Sequence, residues 1–530
     1  MSRFDEGWRA AGLLVPLSAL PTPYGAGDFG PDAVKLARFA SGAGAHFWQI
    51  LPVNPTAPSL GNSPYSGFSA YAVWELYASP EILFRDGLLD RADLRGLEIP
   101  PGPRVDYPRV IAAKKEALDR AFRKAEGALL DDPDFRGFLA FNGSWLDDYA
   151  LFSAAKDRFG GSSWTAWPDD LKDRREDALR HWGTALSREI LRVKFGQWRL
   201  FGQLTWLKAR LADLRVGLIG DAAFYVSHDS ADVWANRGLF ALDHSGETGL
   251  MAGVPPDYYS DQGQLWGNPV YDWPRHRDQG YAWWSRRILH NLGLFDWTRL
   301  DHFRAFAACW TVKPDGRTAR FGEWLPGPGR ELFDRVAPGR GLNIIAEDLG
   351  VITPDVTELR KSRDFPGMRV LQFGAGDPAG LSSHCPFRIE PDNVAYSSTH
   401  DSNTARGWYS RELDIKGRRA LDLLAGRPLD YESAARALVT LAWCSPAAIA
   451  VTTLQDLLNL DQEHRMNLPG SPAGNWEWRL GSFAPLTERL AGELAELGAA
   501  AGRDNWTHPN TLTYEAAAGP PGKAGADPAP

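Results

Sequence analysis

The chain reads as an α/β protein, a (β/α)8 TIM barrel enlarged by large insertions that are mainly helical or loop-like. Two observations predict it. Eight short apolar runs recur along the 530 residues, several of them unbroken strings of the kind that parallel strands buried on both faces require. Helix-like segments lie between many of them, an alternation that specifies a parallel sheet wound by crossover helices.

In order the runs are "GLLVPL" at Gly12, "HFWQILPV" at His46, "VGLIGD" at Val216, "LFDWTRLD" at Leu294, "LNIIAEDLG" at Leu342, "MRVLQFG" at Met368, "NVAYSSTHD" at Asn393 and "AAIAVTTLQD" at Ala447. Their spacing is uneven. The second gap, at about 56–210, holds amphipathic patterns such as "SREILRVKFGQWRLFGQLTWLKARLADL" and should be mainly helical. The third, at about 225–290, is rich in Gly, Pro, Trp and Tyr and reads as long aromatic loops at the active site. All of this belongs to one catalytic barrel over about 1–515, followed by a tail at 516–530 with no core-forming residue, expected to be disordered.

Composition narrows the classes. Hydrophobic residues make up 44% and charged residues 23%, a balance that needs no membrane. The uncharged run from Ala437 to Gln455 is split by Ser445-Pro446, so it reads as a helix followed by a buried strand. A net charge of -8, with arginines scattered among acids, offers no basic face for nucleic acid. The three cysteines, Cys309, Cys385 and Cys444, read as core thiols in a reducing compartment, and the start of the chain has no apolar leader, so a cytoplasmic location is expected. The 22 tryptophans cluster between Trp145 and Trp310; each alone suits a core, while the set suggests surfaces for stacking sugar rings.

In a barrel of this kind chemistry collects at the C-terminal ends of the strands. The fourth run ends in Arg299-Leu300-Asp301, the fifth in Glu347-Asp348, the seventh in His400-Asp401 and the third in Asp221. Arg299 and Asp301 leave the same strand face, so the guanidinium should hold Asp301 ionised, as a nucleophile needs. Glu347 needs the opposite, a desolvated setting that raises its pKa so that it can donate a proton. On adjacent strands the two carboxyls could lie about 5–5.5 Å apart, the separation of the retaining route for cleaving a glycosidic bond. Strand-end acids also cap helices and form loop ion pairs, and Asp301-His302, His400-Asp401 and His228-Asp229 pair residue types that ligate metals. No compact metal motif appears. "GAGDFG", Gly25 to Gly30, matches a dinucleotide fingerprint by letter, but it runs into Pro31 and no acid ends the second run, so it reads as a turn-forming loop.

Taken together these residues resemble the 4-alpha-glucanotransferases called amylomaltase or disproportionating enzyme, relatives of the alpha-amylases. The likeness runs from "GLLVPLSALPTPYGAGDFG" through "WQILPVNPT", "SPYSGFSAYA", "HDSADVWAN", "GVPPDYYSDQGQLWGNPVYDW", "RLDHFRAF", "AEDLG" and "STHDSNT" to "AGNWEWRL". It implies Asp301 as nucleophile, Glu347 as acid/base and Asp401 as transition-state stabiliser, supported by Arg299 and His400, with Asp221 at the end of the third strand. It also implies sugar contacts at Tyr65, Asp257, Tyr258, Tyr259, Gln264, Trp266 and Asn475. Donor and acceptor would be α-1,4-glucans and maltooligosaccharides, with no cofactor and no metal, in a monomer or weak homodimer. The chain departs from the family pattern at Ala305, where Gly is usual, at Ala223-Phe224, where Pro-Ile is usual, and at Ser402-Asn403, where Asn-Asp is usual. These bear on packing at the third strand and on the surroundings of Asp401. Two rivals share part of this reading: an α-glucan hydrolase, and a barrel that binds glucans without catalysis.

Overall fold

The computed structural model describes Phe4 and residues 7–256, 261–338, 341–471 and 473–504. The tail expected at 516–530 lies outside the described residues. Each of the eight apolar runs forms a strand: β1 Ala10–Leu14, β2 Phe47–Gln49, β3 Gly217–Ala222, β4 Trp297–Leu300, β5 Ile344–Ala346, β6 Gly367–Val370, β7 Asn393–Tyr396 and β8 Ile449–Thr453. They form one parallel sheet in the order β6-β7-β8-β1-β2-β3-β4-β5. Neighbours in space are neighbours in sequence, as in a TIM barrel.

Between the two ends of that order the cylinder is joined differently. The Ala346 N–H donates to the Pro366 carbonyl at 2.9 Å, and then a side chain takes over from the strand backbone. Asp348 Oδ1 accepts the Met368 N–H at 2.7 Å. The carboxylate is buried and flanked by Arg369 at 3.1 Å and Arg360 at 3.4 Å. Gly367 makes room for it, because a Cβ there would stand 2.5 Å from Asp348 Oδ2. The second acid of Glu347-Asp348 thus closes the barrel.

Helices clothe the sheet where the periodicity places them. Pro31–Gly42 follows β1, and Ser187–Asp213 leads into β3, burying Leu200, Leu204, Leu207 and Leu211 on one stripe. Pro133–Arg158, capped by the Asp132 side chain, lies among the helices before it. Helix Ala434–Cys444 precedes β8, as read from the uncharged run, and among the described residues no helix is long and apolar enough to cross a membrane.

Two expectations need correction. The stretch read as long loops before β4 contains strands Met251–Val254 and Gln264–Pro269, which pair with each other, and Met251–Val254 also pairs with Ala308–Val312 from the segment after β4, itself paired with Glu323–Pro326. The result is a four-stranded antiparallel sheet in which two local hairpins join through Met251–Val254 and Ala308–Val312, a pairing across β4 that local patterning could not announce. Cys309 and Cys385 are buried, but Cys444, the last residue of its helix, is exposed. "GAGDFG" is a packed turn: Asp28 accepts the Gly30 N–H and a charge-assisted bond from buried Lys114, and a Cβ at Gly27 would meet the Leu17 carbonyl oxygen at 1.9 Å.

Asp348→Ala should leave two arginines at the seam without their shared acid and destabilise the fold by about 3–5 kcal/mol. Urea unfolding measures it, and an unchanged midpoint would show that the seam does not depend on this carboxylate.

Candidate active site

Register brings the polar strand ends into line. Asp221 of β3 pairs with Arg299 of β4, and Leu300 pairs with Ala346 of β5, so one step further Asp301 is level with Glu347. The backbone fixes that step. Glu347 N–H donates to the Leu300 carbonyl and Phe303 N–H to the Glu347 carbonyl, each at 3.1 Å.

Arg299 is buried and divides its guanidinium between two acids. Nη1 donates to both Asp221 carboxylate oxygens at 2.8 Å, and Nη2 donates to Asp301 Oδ1 at 2.8 Å. Burial works against the charge of Arg299, but Asp221 and Asp301 outweigh it and raise its pKa further. For Asp221 burial wins, raising the carboxyl despite the arginine.

Glu347 opens partly to the cleft, yet the surrounding protein desolvates its carboxyl. That desolvation, followed by the charge of Asp301, pushes its pKa up to about 7 against the pull of Arg299. Each oxygen accepts one backbone N–H: Oε2 from His302 at 2.7 Å and Oε1 from Leu349 at 2.9 Å. To present that N–H, His302 takes left-handed backbone angles, φ 47° and ψ 48°. A non-glycine residue there costs roughly 1–2 kcal/mol, strain of the kind that functional sites retain.

His400 and Asp401 sit beyond the end of β7. Tyr65 joins them to β3: its hydroxyl donates to Asp221 Oδ2 at 2.7 Å and accepts from His400 Nε2 at 2.9 Å, and its ring stacks on the imidazole at 5.2 Å. His400 Nε2 also lies 3.2 Å from Asp401 Oδ2. Burial opposes the imidazolium, but the Asp401 charge raises the pKa of His400 above its ordinary value. Asp401 answers in kind. Desolvation would raise it, while His400 and the Asn467 amide hold it well below the usual carboxylate range, although its side chain is 49% exposed.

Trp266 stands edge-on to the His302 ring at 4.9 Å and is 38% exposed, so one aromatic of the small sheet does reach the turn that follows β4. Its indole N–H donates to Gln264 Oε1 at 3.2 Å, so the two predicted residues on strand Gln264–Pro269 are bonded to each other. Most of the other tryptophans between Trp145 and Trp284 are buried and pack on one another, filling core instead of offering flat surface. Asn475 faces its own loop, accepting the Leu468 N–H and donating to the Ser471 carbonyl, both at 2.9 Å. Asp257, Tyr258 and Tyr259 lie outside the described residues.

The departures have physical accommodations. The Ala305 side chain is fully buried in the core. The carbonyls of Ala223 and Phe224 both accept from Arg287, and Phe224 packs edge-on against Phe306 at 4.8 Å. Ser402 bonds Thr399, while Asn403 donates to Glu412 at 2.6 Å and its carbonyl accepts from Gln372 at 2.8 Å.

Sequence reasoning missed Asn467, whose amide donates to Asp401 Oδ1 at 2.7 Å, and Arg465, which bonds the Asp401 carbonyl at 3.3 Å. Both arrive on a loop after β8 that carries no periodic signal.

A parallel barrel with an arginine-held aspartate level with a glutamate whose pKa is raised to about 7 at its C-terminal mouth is a carbohydrate-active enzyme of the glycosidic-bond class. Comparison with known proteins then narrows the class. A family model described as 4-alpha-glucanotransferase matches residues 15–484. The 4-alpha-glucanotransferase of Synechocystis is 41% identical over 92% of this chain and 96% of its own length, and the chloroplastic/amyloplastic 4-alpha-glucanotransferase of Solanum tuberosum is 40% identical over 89% and 82%. Among solved structures, the Streptococcus agalactiae amylomaltase in complex with acarbose superposes with a TM-score of 0.88 at 33% identity, over 94% of this chain and 100% of that one. The chain belongs to the 4-alpha-glucanotransferase family.

Arg299→Lys places one ammonium where a fork served two acids. We expect kcat to fall by roughly 10²-fold through misplacement of Asp301, with KM changed far less. Steady-state kinetics decides it, and equal changes in both constants would count against the bridge.

Proposed function

We propose that the protein moves α-1,4-glucan segments from a donor maltooligosaccharide to the 4-hydroxyl of an acceptor glucan or glucose, by retaining double displacement. The observation that carries this reading is the pair Asp301 and Glu347, level on adjacent strands, one bound to a guanidinium and the other raised to about 7. Neighbouring parallel strands lie roughly 4.8 Å apart, a spacing that suits the shorter, covalent geometry of carboxyl pairs.

In the first half-reaction an Asp301 oxygen attacks the anomeric carbon as the glycosidic C–O bond breaks, and Glu347 gives its proton to the departing oxygen. The donor's reducing-end portion leaves with a new hydroxyl. Once Asp301 is an ester it has no charge, so the electrostatic push on Glu347 is gone and its pKa falls. Glu347 is then fit to take the proton from the acceptor 4-hydroxyl, whose oxygen displaces Asp301 and restores both groups. Asp401 and His400 would hold ring hydroxyls and favour the oxocarbenium-like transition state. Tyr65, Gln264, Trp266 and Asn475, with Asp257, Tyr258 and Tyr259, would bind the glucan, while the buried Asp221, predicted to do so, would act through Arg299 and Tyr65. Transfer outruns hydrolysis only if an acceptor sugar holds the place of water, and Trp266 beside His302 is suited to stacking that sugar. Three free cysteines suit a reducing cytoplasm.

Incubation with maltotriose should yield glucose together with longer maltooligosaccharides. Release of reducing ends without longer products would mark a hydrolase instead.

The pH dependence has a defined sign. Glu347 must carry its proton to cleave the donor, so kcat/KM for maltotriose should decline as pH rises through about 7. A profile flat across that region would remove Glu347 from the acid role. Trp266→Ala should lower the ratio of transfer to hydrolysis by roughly an order of magnitude, because it takes a stacking surface away from the acceptor sugar and none from water. Product analysis by chromatography reads the ratio directly, and an unchanged value would exclude Trp266 from acceptor binding.

A further inference from the structure

The eighth strand also runs out into an acid. Asp456 lies just past β8, in the short helix Leu454–Leu457, and is almost wholly buried. None of the chemistry above uses it, and among the described residues no arginine or lysine bonds its carboxylate. Its partners are instead the two ends of a single turn. Oδ2 accepts from the Ser397 hydroxyl at 2.7 Å and from the Ser398 hydroxyl at 2.5 Å, at the point where β7 ends. Oδ1 accepts the Ala405 N–H at 2.6 Å, at the start of helix Ala405–Arg411. Between those ends lie His400 and Asp401. We infer that Asp456 is a positioning residue for the reaction, stapling the turn from Ser397 to Ala405 so that Asp401 is presented to the reacting sugar at a fixed height and angle.

Three features make this more than ordinary packing. The turn has little regular structure of its own to hold it: Thr399 and Ser402 bond each other, and its other anchors are side chains such as Tyr65 on His400, Arg465 and Asn467 on Asp401, and Gln372 on Asn403. A fixed carboxylate needs a fixed chain beneath it, because misplacement by about 1 Å can cost roughly 10²-fold in rate. The residue before Asp456 serves the other side of the same acid. Gln455 donates to the His464 carbonyl at 3.1 Å, at the base of the loop that brings Arg465 and Asn467 to Asp401. The end of β8 therefore grips both segments that meet at Asp401.

The inference rests on Asp401 being the acid proposed above, and the experiment separates the two. Asp456→Ala, Asp456→Asn and the double variant Ser397→Ala/Ser398→Ala are compared with Asp401→Asn for kcat and KM on maltotriose and for thermal melting. Asp456→Ala should reduce kcat by roughly 10²-fold, and Asp456→Asn, which keeps one acceptor oxygen and the side-chain shape, by roughly tenfold, with KM within about twofold in both. The serine double variant removes two of the three staple bonds without emptying the carboxylate site, and should lower kcat by several-fold even if Asp456→Ala does not fold. An unchanged kcat in a folded Asp456→Asn protein overturns the proposal. So does a loss in which kcat and KM worsen together in step with melting temperature, since that is ordinary destabilisation. If Asp401→Asn keeps full activity, the assignment of Asp401 itself falls; if Asp401→Asn is inactive while Asp456→Asn is not impaired, only the staple falls.

Discussion

The guanidinium of Arg299 is shared by two carboxylates, one wholly buried and one at the cleft. Asp221 takes two of its hydrogen bonds and Asp301 takes one, and because β3 and β4 pair at Asp221 and Arg299, the strand register alone decides that the three meet. The charge of Asp301 then reaches across to β5 and helps raise Glu347. Tyr65 extends the same line to His400 and, through it, to Asp401. A slip of one residue between β3 and β4 would turn these side chains to opposite faces, so the hydrophobic patterning that fixes register also fixes the electrostatics.

What could be read from sequence followed from what is local. Short apolar runs, several of them unbroken, marked all eight strands, and charges at their C-terminal ends marked Asp221, Arg299, Asp301, Glu347, His400 and Asp401, because strand ends at that face are where a barrel tolerates them. Asp348 and Asp456 carry the same mark yet hold a seam and a turn. An acid at a strand end states its address without its duty, which depends on the partners that long-range folding supplies. The four-stranded sheet was illegible for a related reason: its strands come from both sides of β4, and neither half alternates clearly enough to stand by itself. Asn467 had no signal at all, being one polar residue in an aperiodic loop.

The tryptophans show the converse error of reading a function from abundance. Trp164, Trp234 and Trp284 are buried, and Arg174, Arg237 and Arg287 lie over indole faces at 4.3 to 4.9 Å. Their role is to fill and stiffen the region between the helical segment and β4. Trp266 differs because it packs against His302 and Tyr225 at the C-terminal end of the barrel while still keeping 38% of its surface exposed.

The small antiparallel sheet has a consequence for how such a barrel can be remodelled. Its two inner strands, Met251–Val254 and Ala308–Val312, are donated by connections on opposite sides of β4 and pair directly with each other. Exchange of either connection alone with that of a relative would strand half a sheet, exposing a bare hydrogen-bonding edge above the cleft. The two segments form one heritable module that recombination must carry intact, Asp301 included, since it lies on the chain between them.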